Sequence, residues 1–245
     1  MTELLYDIHT HTVYSHGHGR ITDNAEAAAK AGLRALGISD HGPGHKGYGI
    51  SMKKIPSMRA DIESARLKYP DLEITLGLEA NIYNPSGKLD VSGEDIKLFD
   101  YIIAGYHYGT VSGEAVIPSI RMIIGGYTAC RSSRQTHYNT DLVLAALYEN
   151  DIRVLTHPGE KASFDIDEIA RACERTGTLM EINDHHQCLT VDGIRTAMKY
   201  DVKFIIGSDA HVPEAVGCFE RALARADEAG LERSRIVNLS ERSRD

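Results

Sequence analysis

Short apolar runs recur along this 245-residue chain, and most of them stop at a histidine or an aspartate. His9 and His11 follow Leu4-Leu5-Tyr6-Asp7-Ile8, and His41 ends the run from Ala35 to Asp40. His107 ends Tyr101–Tyr106, His157 ends Ile152–Thr156, and Asp209 and His211 follow Val202–Ser208. Helix-like segments separate the runs. Such alternation favours a parallel sheet, and about seven units with no domain break favour a closed barrel. Strand ends are where α/β folds assemble their sites, and imidazole is a good ligand for zinc, iron and manganese. Much of the complement of 12 histidines would thus gather at one sheet edge, which points to a multi-metal centre.

Strands are expected at residues 4–8, 34–39, 73–80, 101–106, 152–156, 178–182, 202–206 and 236–239. Helices are expected at 24–32, 52–69, 141–149, 166–175, 191–200 and 213–229. Residues 108–139 break the rhythm and read as a long insertion loop, a feature that points either to function or to disorder. It contains Arg121, Arg131 and Arg134, which could clamp a phosphate or stand as solvated surface charges.

Spacing sharpens the chemistry. Side chains two apart on a strand share a face, so His9 and His11 can chelate one ion, and Asp209 and His211 repeat the interval. Glu79 ends the third strand, where a buried carboxylate needs counter-charge; its two oxygens can bridge two cations. Each residue alone has an ordinary explanation as a strand edge, a turn or an exposed charge. Their joint placement does not.

Five stretches carry a resemblance: "DIHTHTVYSHG" at 7–17, "ISDHG" at 38–42, "GLEANI" at 77–82, "AGYHYG" at 104–109 with "THPG" at 156–159, and "GSDAH" at 207–211. In this order they resemble the PHP family of polymerase-associated and histidinol phosphatase domains, and most closely its short stand-alone members. The resemblance implies one α/β unit over residues 1–245, folded as a distorted seven-stranded (βα)7 TIM-like barrel with up to three divalent ions. It implies that His9, His11, Glu79 and Asp209 bind the first ion, and that Glu79 bridges to a second held by His107 and His157. His16, His41 and His211 would hold the third, with His18 an alternative to His16. Asn183, at a strand end, is a candidate hydrogen-bond partner for substrate. His45, His137, His185 and His186 could contact substrate or protonate a leaving group, solvent exposure being the alternative for each.

Three divalent ions against two carboxylates leave about +4, a field that attracts a dianion. A water bridging two ions, held by Glu79, His9, His11 and Asp209, would be acidified to a hydroxide. The expected reaction is hydrolysis of a small phosphorylated substrate by a metal-dependent phosphoesterase, with zinc, manganese or iron as the metal. The rivals are a nuclease or phosphodiesterase, and a non-catalytic metal-holding module that binds a partner. A net charge of −8 weighs against nucleic acid. Cys130, Cys173, Cys188 and Cys218 show no Cys-x-x-Cys pair, and no leader or membrane-spanning run is visible, so a cytoplasmic protein is expected. The sequence carries no trace of oligomeric state.

Overall fold

The computed structural model describes residues 2–107 and 133–241. Seven parallel strands form one sheet in sequence order: β2 (Tyr6–Asp7), β3 (Ala35–Ile38), β4 (Glu73–Asn81), β5 (Tyr101–Gly105), β6 (Val154–Leu155), β7 (Leu179–Asn183) and β8 (Phe204–Gly207). The sheet curls into a nearly closed barrel. Beyond the ends of β2 and β8 the gap is spanned by a parallel bridge between Thr10 and Ala210, with His11 N donating to Ala210 O at 2.8 Å. His18 N adds a bond to His211 O at 2.7 Å.

Helices α1 (Ile21–Lys30), α2 (Ile55–Lys68), α3 (Ser133–Glu149), α4 (Ile166–Thr176), α5 (Val191–Ala197) and α6 (Glu220–Ala229) follow every strand of this sheet but β4, which the 3-10 helix Gly93–Leu98 links to β5. Their apolar positions recur at helical spacing, as in Ile21, Ala25 and Ala28 of α1, and bury one stripe against the sheet. Helix α4 shows why the boundaries fall where they do. Asp165 caps its first turn by accepting from Asp167 N and Glu168 N, and Gly177 ends it at φ 76°, a left-handed conformation that glycine adopts freely.

Two apolar clusters result. The larger lies between sheet and helices. The smaller comprises Ile8, Tyr101, Ile103, Val154 and Ile205. In parallel register Glu79 sits beside Ile103 and Glu181 beside Ile205, so these carboxylates border the small cluster. Both are almost wholly buried.

The structure departs from the sequence expectations at several boundaries. The first run splits at Leu5, because Thr2–Leu4 (β1) leaves the barrel to pair antiparallel with Leu239–Glu241 (β9). The last strand therefore lies at 239–241, and Ile236 makes only a single bridge, to Phe204. The expected helix at 213–229 is broken: Pro213–Ala215 is one 3-10 turn, and Gly217 at φ 77° redirects the chain into α6. The expected 108–139 loop is cut short, since α3 begins at Ser133 and residues 133–139 are helical. Among the described residues no helix is long and apolar enough to cross a membrane.

Candidate metal centre

The centre is built from residues just beyond strand ends. His107 lies two residues past β5, His157 two past β6 and Asp209 two past β8, while Glu79 lies two residues before the end of β4. His41 makes a parallel bridge to Glu79. Two donors sit on unusual backbone, His157 at φ 26° and Asp209 at φ 53°. A side chain held there costs conformational energy and signals an imposed geometry.

All nine expected donors converge. His16, His41, His107, His157, Asp209 and His211 line a cavity of about 380 Å³. His9, His11 and Glu79 are fully buried and adjoin these residues. Glu79 Oε1 lies 2.8 Å from His157 Nε2 and 3.3 Å from both His9 Nε2 and His107 Nε2. Its Oε2 lies 2.9 Å from His41 Nδ1 and 3.6 Å from His11 Nε2. Asp209 Oδ1 lies 3.1 Å from His11 Nε2 and 3.5 Å from His9 Nε2.

Four sets have donor atoms within 4.8 Å of one another: His9, His11 and Asp209; His9, Glu79 and His157; His41, Glu79 and His107; and His11, His41 and His211. They share members and so form one continuous array. His16 adjoins it, its ring centroid 4.8 Å from His41 and 4.2 Å from His211. His18, the sequence alternative, is exposed in a different surface groove with Asp23 and Glu26.

The donor set fits metal ions on a specific count. His9 Nε2, both ring nitrogens of His11, His16 Nδ1, His41 Nδ1 and Glu79 Oε2 are buried yet make no hydrogen bond in proper alignment. Buried polar atoms are normally satisfied, and a cluster of unsatisfied ones calls for a missing partner. His107 Nε2 and His157 Nε2 also face each other at 3.3 Å, two nitrogens converging on one point.

Ionisation reflects the same crowding. Burial pushes the Glu79 carboxyl up, but His107, His9, His41 and His157 together hold it well below the usual carboxylate range. For His157 burial acts downward, and Glu79 outweighs it, raising the ring to about 9. Burial dominates at His107 and His16, which both fall to about 4. The two carboxylates thus supply the negative field that cations would share.

Further residues, not singled out in the sequence, hold the donors in place. Glu181 Oε1 lies 2.6 Å from His9 Nδ1, while its Oε2 accepts from His157 N at 2.6 Å and from Asn183 Nδ2 at 2.9 Å. Asn81 Oδ1 lies 2.9 Å from His107 Nδ1, and Asp90 accepts from Asn81 N at 2.8 Å and Gly44 N at 2.8 Å. Asp40 accepts from Thr12 N and Thr12 Oγ1, each at 2.7 Å, fixing the loop after His11. Partners of this kind orient metal-binding imidazoles.

The remaining sequence candidates divide. Asn183 is buried, with Nδ2 donating to Glu181 and to Asp209 at 3.3 Å, and with Oδ1 accepting from His186 N at 2.7 Å. Arg134 is exposed in the first turn of α3, and Arg121 and Arg131 lie outside the described residues. His45 and His186 line the cavity, whereas His137 and His185 are exposed.

A nearly closed parallel barrel with histidines and carboxylates gathered at its carboxyl edge is the build of a metal-dependent hydrolase. Residues 7–185 match the PHP domain, and residues 193–231 match the PHP-associated family. A probable phosphatase of Shewanella sp. (strain W3-18-1) is 31% identical over 249 residues, spanning 96% of this chain and 87% of its own. The crystal structure of histidinol phosphate phosphatase from Lactococcus lactis, complexed with zinc, L-histidinol and phosphate, shares the fold with a TM-score of 0.66. It is 16% identical and covers 93% of this chain and 94% of that one. One chain from the crystal structures of YwqE from Bacillus subtilis and CpsB from Streptococcus pneumoniae, metal-dependent tyrosine phosphatases, gives a TM-score of 0.55 at 18% identity, over 91% of this chain and 86% of that one. The chain belongs to the PHP family, and it is a metal-dependent phosphoesterase.

Proposed function

We propose that this protein hydrolyses the phosphate monoester of a small molecule at a centre of three divalent ions. The observation that carries the reading is the continuous array of donors around Glu79, with its buried unpartnered atoms. His9, His11, Glu79 and Asp209 would hold the first ion, Glu79, His107 and His157 the second, and His16, His41 and His211 the third. The close packing of His9, His11 and Asp209 supports the first assignment, and the stacking of His16 on His41 with its edge-on contact to His211 supports the third. Imidazole and carboxylate without thiolate suit zinc, manganese or iron. The zinc in the Lactococcus structure favours the first of these.

When bound, such ions supply positive charge for phosphoryl oxygens and lower the pKa of a water toward neutrality, giving a nucleophile placed by Glu79, His9, His11 and Asp209. The protein's own groups do the rest. Glu79 and Asp209 would balance part of the charge of three bound ions, leaving about +4 to attract a dianionic ester. Glu181 and Asn81 keep the Nε2 atoms of His9 and His107 aimed inward. Arg121, Arg131 and Arg134 are candidates to grip the phosphate, and Asn183 to contact substrate. We read residues 1–245 as one catalytic unit, because the PHP-associated match at 193–231 falls on α5, β8 and α6 of the same barrel. The thiols of Cys173, Cys188 and Cys218 are unpaired, which suits a reducing cytoplasm.

The test is hydrolysis of p-nitrophenyl phosphate by purified protein with Mn²⁺ or Zn²⁺, beside a single-stranded oligonucleotide. Turnover of the ester above the metal-only blank is expected, with little cleavage of the oligonucleotide. A fully metallated protein inert toward the ester would end this reading.

A further inference from the structure

Past His157 the chain turns tightly, with Glu160 N donating to His157 O at 3.1 Å and Gly159 at φ 102°. The turn delivers Glu160 and Lys161 into the wall of the metal cavity. The Glu160 side chain is only 8% exposed, and its Oε1 accepts from the Lys161 ammonium. The same oxygen lies 3.7 Å from His186 Nδ1, and His186 Nε2 lies 3.4 Å from Asp209 Oδ2. The pair therefore belongs to the cavity but to none of the ion-holding sets.

Fold stability does not account for this placement. An ion pair between chain neighbours contributes little at a surface, and desolvating its carboxylate costs free energy that the pairing only partly offsets. The rest of the cavity wall agrees: among the described residues it consists of histidines, Tyr48, Asp209 and this pair, with no aliphatic side chain. An apolar group entering there would strip water from Glu160 and Lys161 and return no hydrogen bond. A group bearing hydroxyls would replace that water, since Lys161 can donate and Glu160 accept.

We propose that Glu160 and Lys161 determine specificity, selecting esters whose leaving group is a small hydroxylated alcohol, such as a polyol or sugar, over apolar alcohols. This rests on the phosphomonoesterase reading above. The pair acts on the part of the substrate that departs, while the ion-holding residues serve the phosphoryl group.

The experiment compares glycerol 1-phosphate with n-propyl phosphate, which matches it in chain length but lacks the two hydroxyls. The kcat/KM ratio is measured for the wild type, Glu160→Gln and Lys161→Met, with metal content determined for each. Taking the ratio of ratios cancels the intrinsic reactivity of the two esters. The wild type should favour glycerol phosphate, and each variant should lower that preference on the order of tenfold. A wild type without preference overturns the proposal whatever the variants do. A preference that survives both substitutions in metal-replete protein overturns it equally. A wild type inert toward both esters yet active on p-nitrophenyl phosphate overturns this proposal alone, whereas one inert toward all three removes the phosphomonoesterase reading and this one with it.

Discussion

Glu181 Oε1 lies 2.6 Å from Nδ1 of His9, and this contact leaves Nε2 of the same ring facing Glu79 at 3.3 Å. One carboxylate thereby sets which nitrogen of His9 is offered to the cavity, and its other oxygen anchors the backbone N of His157. Glu181→Gln should weaken metal binding roughly 10- to 100-fold without removing any donor to the metal. Competition with a chromogenic chelator would measure it. Affinity equal to wild type would show that Glu181 does not orient the centre.

Glu79 contacts five histidines of the array through its two oxygens. Glu79→Ala should strip metal and hydrolysis together, with turnover reduced by at least about a thousandfold, given the several kcal/mol such a centre contributes. Elemental analysis beside the p-nitrophenyl phosphate assay checks it. Activity surviving in the variant would place the chemistry elsewhere.

His16 and His18 are two residues apart but face different surroundings, the metal cavity and a separate groove. His16→Ala should lower metal content by one ion per chain, and His18→Ala should leave it unchanged. Inductively coupled plasma mass spectrometry reads both. A reversed result would move the proposed third site to the other side of the loop.

Gly207 has no room for a side chain, since a Cβ there would lie 2.0 Å from Glu181 Oε1 and 3.1 Å from His9 Cβ. Gly207→Ala must displace Glu181 and with it His9. A stability loss of about 1–3 kcal/mol is expected from the overpacking, accompanied by weaker metal binding. Denaturant unfolding and the chelator titration measure the two effects, and neither should be at the wild-type value.

Away from the centre, Arg59 clamps Asp100 through two bonds of 2.8 and 2.9 Å, and Leu76 N donates to the same carboxylate at 2.8 Å. Burial pushes this carboxyl up, and the Arg59 and Leu76 hydrogen bonds outweigh it, leaving it below the usual range. A carboxyl lowered on folding stabilises the protein above its unfolded value, near 3.9, and ceases to do so as pH falls through the folded one. Because both side chains are more than a third solvent-exposed, the contribution is about 1 kcal/mol or less. Asp100→Asn should lower Tm by roughly 2–4 °C at neutral pH, with the difference closing at acid pH. Thermal melts across the pH range follow it, and a constant gap would rule out the charge as the cause.

Most of the candidate ion-holding residues were legible because they stand at or just past a strand end, where an apolar run gives way to a ligand-type side chain; His16, in the loop between β2 and α1, was reached only through the family resemblance. Their supports were less so. Glu181 sits inside β7, and a charged residue within a mostly apolar strand is the signal that could have drawn attention to it. Asn81 and Asp90 act through a loop contact that no spacing rule links to His107. Nor does sequence give backbone torsions, so the left-handed turns at His157 and Asp209 emerge only in three dimensions. The split of the first apolar run was hidden because β1 and β2 are both extended, and only their pairing partners distinguish them.

The backbone at His157 and Asp209 lies where glycine would rest more easily, yet glycine brings neither nitrogen nor oxygen to an ion. The substitution that would ease the chain at either position is thus the one that would remove a donor from the proposed centre. Attempts to harden this protein against heat should therefore leave both loops alone and work on the helices, where comfort and catalysis do not compete.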